Sequence, residues 1–256
     1  MQHRLKAFNT ATESTNKIHD DAVARTLGFR GGLVPGVDVF AYLCHLPARA
    51  WGAEWLEGGT IHARFATPVY DGDEVVVTGD DVDGTMVLEL RDSSGVVCAT
   101  GTARRALAVE PIDVRAWPVG AVPVDPPAAS AAALTDNALG YLEVGFHAER
   151  ADEYLDWVRE DLPLFRDGVA HPGWLLRWAN YVLSSNVRLG PWIHVESDVH
   201  LIAPVRDGDS VETRAIVNRV WEAKGHELVE LDVLQLVDDT PVTRTTHTAI
   251  FRPRGT

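Results

Sequence analysis

Between Glu13 and Asp21 the chain gathers a carboxylate, a hydroxyl, an amide, an imidazole and two more carboxylates: Glu13, Ser14, Asn16, His19, Asp20 and Asp21. An imidazole is the side chain that exchanges protons near neutral pH, although a single loop histidine is more often structural than chemical. Asp20 and Asp21 stand where they would cap or solvate a short helix over Ala22 to Leu27. A second set, His194, Glu196, Asp198 and His200, alternates along a predicted strand and so shares one face. Same-face positions lie roughly 7 Å apart, so one ion cannot collect all four without a bend, and the set reads as a polar face with no metal site. The chain contains no CxxC, HExxH, phosphate loop, GxSxG or post-strand GxGxxG motif. The two cysteines, Cys44 and Cys98, read as buried small apolar residues of a reducing compartment.

The elements that must position these groups come in two copies. Pro68-Val69-Tyr70-Asp71-Gly72-Asp73-Glu74-Val75 recurs as Pro204-Val205-Arg206-Asp207-Gly208-Asp209-Ser210-Val211, with six of eight residues identical. Upstream, Pro35-Gly36 is echoed by Pro172-Gly173 at nearly the same offset, and two matched landmarks in order indicate a duplication. Each Pro-Gly precedes a helical stripe: Val37, Phe40, Ala41 and Cys44 before a stop at Pro47, then Leu175, Trp178 and Val182. Alternating β-branched runs follow, over 60–69, 74–80, 86–91 and 96–106, then 193–205, 210–220, 227–237 and 242–251. Asp-Gly-Asp, Asp83-Gly84 and Ser94-Gly95 supply the turns. Each half thus reads as a helix followed by an antiparallel meander, residues 1–108 and 138–256, joined by a Pro- and Ala-rich linker over 109–137.

The stretch Asn16-Lys17-Ile18-His19, the Gly28-Phe29 pair, the turn Gly31-Gly32-Leu33-Val34-Pro35-Gly36 and the Pro-Val-x-Asp-Gly-Asp hairpin together resemble MaoC-like (R)-specific enoyl-thioester hydratases over most of both halves. That resemblance implies an α+β double hotdog fold, in which each of two antiparallel sheets wraps a central helix. It implies hydration or dehydration of an enoyl thioester, on coenzyme A or an acyl carrier protein, with no cofactor beyond the thioester arm. His19 falls at the family's acid/base position and Asn16 at its orienting amide. Ser14 falls where the family has Asp, and a hydroxyl is too weak a base to replace it, which leaves Glu13 as a surrogate carboxylate. Gly36 and Val37, opening the first central helix, would offer free N–H groups to the thioester oxygen. Lys17, Arg25 and Arg30 form the local cationic cluster that would meet phosphates of the arm. In the second half, Glu160 to Phe165 aligns with Ser14 to His19, so Phe165 replaces the imidazole and this copy would shape the acyl tunnel. A hotdog thioesterase and a non-catalytic acyl-thioester-binding protein are the alternatives.

Of 256 residues 46% are hydrophobic, enough for one large core or two small ones, so composition does not settle the domain count. A net charge of -14 disfavours nucleic acid and anionic lipid as partners. No apolar stretch nears the ~20 residues of a membrane span. The start MQHRLKAFNTATES lacks a signal core, so a cytoplasmic protein is expected, with homodimerisation left open.

Overall fold

Two helices that bury most of their residues dictate the architecture, because a largely apolar helix must be enclosed. The structure, a computed structural model, describes residues 1–105, 108, 110–135 and 138–255. The first half runs β1 (Gln2–Lys6), α1 (Asp21–Thr26), α2 (Gly36–Trp51), α3 (Ala53–Leu56), β2 (Thr60–Phe65), β3 (Glu74–Val82), β4 (Thr85–Asp92) and β5 (Val97–Arg104). After the connection come α4 (Ala131–Leu134), β6 (Ala138–Gly145), α5 (Ala148–Trp157), α6 (Pro163–Arg166) and α7 (Pro172–Asn186). β7 (Ile193–Leu201), β8 (Ser210–Ala223), β9 (His226–Val237) and β10 (Thr240–Arg252) complete the chain.

All strands join one ten-stranded sheet in the order β1-β3-β4-β5-β2-β7-β10-β9-β8-β6. Read outward from the centre, the second five repeat the first five strand for strand, which is the duplication expected from the sequence. The junction is antiparallel pairing of β2 with β7, from Thr60 opposite His200 to Arg64 opposite Glu196. Each half therefore closes the other's free edge. In α2 every residue from Val37 to Ala48 is buried, and α7 buries Leu175, Leu176, Ala179, Val182 and Leu183.

Several boundaries differ from the sequence reading. Helix α2 continues through Pro47 to Trp51. A mid-helix proline costs ~3 kcal/mol, but the last turn is held by burial of Ala48 and Trp51 and by the Trp51 indole N–H donating to Asp81 at 2.8 Å. Strands β2 and β7 stop before the prolines of the repeated hairpin, since Pro68 and Pro204 lack the N–H a ladder needs. The expected run to Ala106 ends outside the described residues, as do positions 109, 136 and 137 of the linker. Strands β1 and β6 and helix α5 were not anticipated. β1 buries only Leu5 of its five residues, too little for a period-2 pattern, whereas α5 does carry a helical stripe in Ala151, Tyr154 and Leu155.

The connection is a strap packed onto the second half. Trp117 is buried against Leu234 and Leu236, and its indole N–H donates to the Asp232 carbonyl at 3.0 Å. No helix among the described residues is long and apolar enough to cross a membrane.

Candidate functional site at the seam

Ile18 fixes the loop that carries the candidate imidazole. It is buried with Ala24 and Leu33 in a small satellite core, and on either side of it Lys17–His19 forms one 3-10 turn. Asn16 caps that turn, its Oδ1 accepting from the Ile18 N–H at 3.4 Å. The same amide crosses to the second half: Oδ1 also accepts from the Trp192 N–H at 3.2 Å, and Nδ2 donates to the Trp192 carbonyl at 3.0 Å. The loop then folds tightly against Gly32, where a Cβ would lie 2.1 Å from the His19 carbonyl oxygen. Asn9 Nδ2 donates to that carbonyl at 3.0 Å.

The His19 ring is oriented by one strong contact. Its Nδ1 lies 2.7 Å from the Leu33 carbonyl, and a carbonyl only accepts, so Nδ1 carries the hydrogen and Nε2 of the neutral ring holds a lone pair. Asn16 Nδ2 stands 3.4 Å from that Nε2. Burial pushes the His19 pKa below its ordinary 6.5, against opposing pulls from the Leu33 carbonyl and Asp38. The ring is therefore a neutral base at physiological pH.

His19 borders three cavities. One, of about 270 Å³, is mainly apolar, walled by Phe29, Val34, Phe65, Val69, Val195 and Ile250, and so draws on both halves. A second, of about 390 Å³, is more polar than the first and is lined by Glu13, Ser14, Arg177 and Tyr181 among others. A third, of about 540 Å³, is lined by Arg25 and Arg30 but also by Asp20, Asp21, Asp71 and Asp73. Such volumes are of small-molecule size.

Gly36 opens α2 at the wall of the apolar cavity. Its N-cap, Pro35, gives no side-chain hydrogen bond, and among the described residues the N–H groups of Gly36 and Val37 have no acceptor. These are the orphan donors of a helix tip, at the positive end of its dipole. A side chain at Gly36 would meet His194, with Cβ 2.8 Å from Nδ1. His194 is buried against Phe65, and its Nε2 lies 2.8 Å from Ser197 Oγ, which in turn is 3.0 Å from His247 Nδ1. Burial, then the neighbouring His247, lowers the His194 pKa well below 6.5.

The remaining predicted groups are spread more widely. Ser14 Oγ accepts from the Asn16 N–H at 3.1 Å, and Glu13 is solvent-exposed and borders only the polar cavity. Asp20 caps α1 through the Val23 N–H at 2.9 Å, and Asp21 accepts from the Gly32 N–H at 2.8 Å. Among the described residues no carboxylate hydrogen-bonds His19. The cations are already engaged: Lys17 with the Ser14 carbonyl, Arg25 with Asp21, and Arg30 with the Asp73 carboxylate at 2.6 and 2.7 Å. Lys17 borders none of the three cavities. The metal-like alternation dissolves as well, with His194 facing the core while Glu196 pairs with His62 and Arg64. Burial raises the pKa of the Cys98 thiol, which borders the apolar cavity.

Sequence reading missed what the second half brings. Trp192, Asn180 and His194 sit at the cavity with His19. Arg177 pairs with buried Asp38 of α2 at 2.9 Å, and Thr10 donates to the same carboxylate at 2.6 Å. A signal existed for part of this: Arg177, Asn180, Tyr181 and Ser184 form a polar stripe at i, i+3, i+4 and i+7 on an otherwise apolar helix.

Comparison with solved structures places the fold. The chain has the double hotdog fold. It is similar to a structure named MaoC-like dehydratase, with a TM-score of 0.63 and 15% identity over 98% of this chain and 97% of the other. A conserved hypothetical protein from Mycobacterium tuberculosis described as having a double hotdog fold matches at TM-score 0.59 and 12% identity, covering 97% and 95%. The dehydratase domain of PpsC from the same organism, solved with C12:1-CoA, matches at 0.50 and 13%, covering 96% and 92%. No family model matches the sequence, and no curated protein matches it either.

Proposed function

We propose that this chain is an acyl-thioester hydratase or dehydratase of the MaoC-like kind, with its site at the seam of the two halves. The observation that carries the reading is the neutral His19 ring, its Nδ1–H fixed on the Leu33 carbonyl, at a cavity that Gly36 of the α2 tip also lines. In the hydration direction His19 Nε2 takes a proton from water as the water oxygen bonds to the β carbon of the enoyl thioester. The displaced electron pair moves to the thioester oxygen, where the Gly36 and Val37 N–H groups hold the charge. The imidazolium then returns its proton to the α carbon, so one ring serves both steps on one face of the substrate. The apolar cavity would take the acyl chain, and the arm would carry coenzyme A or a carrier protein.

Incubation with crotonyl-CoA and longer enoyl-CoAs tests this by loss of enone absorbance, while a thiol reagent detects released CoA. Hydration that disappears in His19→Ala supports the reading. CoA release without hydration would make the protein a thioesterase, and binding with neither signal a non-catalytic carrier. Glu13→Gln separates the surrogate carboxylate from a bystander, since full activity in that variant removes Glu13 from the chemistry.

A further inference from the structure

We infer that Asn180, on the central helix of the second half, holds the reacting water in place of the carboxylate that position 14 lacks. This rests on the hydration reading. A water caught between His19 and a substrate has two O–H bonds, and His19 Nε2 can accept only one. The other needs an acceptor, because an unpaired polar bond in a buried site costs about 1–3 kcal/mol.

Among the described residues the first half places no carboxylate in hydrogen-bonding contact with His19. The Ser14 hydroxyl accepts from Asn16, Asp20 and Asp21 bind backbone N–H groups, and Asp38 is committed to Arg177 and Thr10. Glu13 is exposed and stays outside the apolar cavity. Asn180 differs on each count. Together with His19, Asn16, Pro35 and Trp192 it borders both the apolar and the polar cavity, which places it where the two meet. Its Oδ1 accepts no hydrogen bond and lies out of reach of water in this structure, so the amide must turn toward the cavity to meet the reacting water. Of the buried polar side-chain atoms left unpaired among the described residues, it is the one whose residue borders both cavities, and buried polar groups call for a partner. His194 Nδ1 is also buried and unpaired at the apolar cavity, but the ring is packed so closely on Gly36 that even a methyl group does not fit between them.

The amide does not take a proton. As one water proton passes to His19 Nε2 and the oxygen bonds to the β carbon, the second O–H stays hydrogen-bonded to Asn180 Oδ1 and becomes the product hydroxyl. Loss of this acceptor should slow the chemical step and leave thioester binding alone.

The test compares Asn180→Leu and Asn180→Asp with the parent on enoyl-CoAs. Asn180→Leu should lose about 100-fold in kcat with KM nearly unchanged, and its melting temperature should equal or exceed the parent's, because no hydrogen bond is removed. Asn180→Asp, which keeps the acceptor, should retain most of the rate. An active Asn180→Leu overturns the inference and leaves His19 as the proposed base; so does a slow Asn180→Leu that melts early and is matched by an equally slow Asn180→Asp. A parent protein that hydrates no enoyl thioester removes the underlying reading, and this inference with it.

Discussion

At the scale of single residues, what matters is how a neutral imidazole and a bare helix tip come to share one cavity. The Leu33 carbonyl selects the His19 tautomer, and burial keeps the ring unprotonated. The lowered pKa gives the sign of the pH response. The active form is the deprotonated one, so hydration should hold steady as pH falls to 6.5 and decline only below it, in a kcat/KM profile that His19→Ala erases. Position 36 tolerates nothing larger than hydrogen beside His194. Gly36→Ala must push that ring or tilt the helix tip, and overpacking of this kind costs about 1–3 kcal/mol. A lower melting temperature together with a fall in kcat is the expected outcome, measured by thermal denaturation and steady-state rates.

Elements are held in register by a few buried polar ties between the halves. Glu160 is the strongest. Its Oε1 accepts from His45 Nδ1 of α2 at 3.0 Å and from the N–H groups of Asp161 and Leu162, and His171 Nε2 stands 3.5 Å from Oε2. Burial alone would raise the Glu160 pKa, yet the His171 and His45 imidazoles together carry it well below the ordinary 4.5. A carboxyl with a depressed folded pKa stabilises the fold above its unfolded value and loses that contribution as pH falls below it. Melting temperature should therefore drop as pH is lowered from 4.5, and Glu160→Gln should flatten this dependence. The variant should also be less stable at pH 7 by about 1.5–3 kcal/mol, the usual worth of a hydrogen bond to a buried charged group, as denaturant titration will report. Helix α5 and the Trp117 strap belong to the same scale, because both pack the second half without touching the cavity.

For the whole molecule the decisive contact is β2 on β7. Separated halves would each expose a five-residue ladder of unpaired groups, Thr60 to Arg64 or Glu196 to His200. They would also split the apolar cavity, since Trp192, Val195 and Ile250 come from the second half. Residues 1–108 expressed alone should associate or aggregate in size-exclusion chromatography and hydrate nothing. Co-expression with 109–256 should restore a complex of the parent's size.

The double hotdog layout was legible because it rests on signals local in the chain: a repeated Pro-Val-x-Asp-Gly-Asp turn, two Pro-Gly helix starts and period-2 strands. His19 and Asn16 were picked out by the resemblance of their loop to a known family's motif, and Gly36 by the Pro-Gly helix start. The destination of the carboxylates was not. Asp38, Glu160 and Glu13 are chemically alike in sequence, and only packing ties the first to Arg177, surrounds the second with imidazoles and leaves the third in solvent. Strand β1 and the Asn180 face were equally invisible in advance, since one is too short to show a period and the other acquires meaning from a loop over 150 residues earlier. Local chain chemistry determined the repeat and the imidazole loop, and the antiparallel closure of two halves decided which groups meet, because contacts across a seam follow from geometry that no stretch of sequence contains by itself.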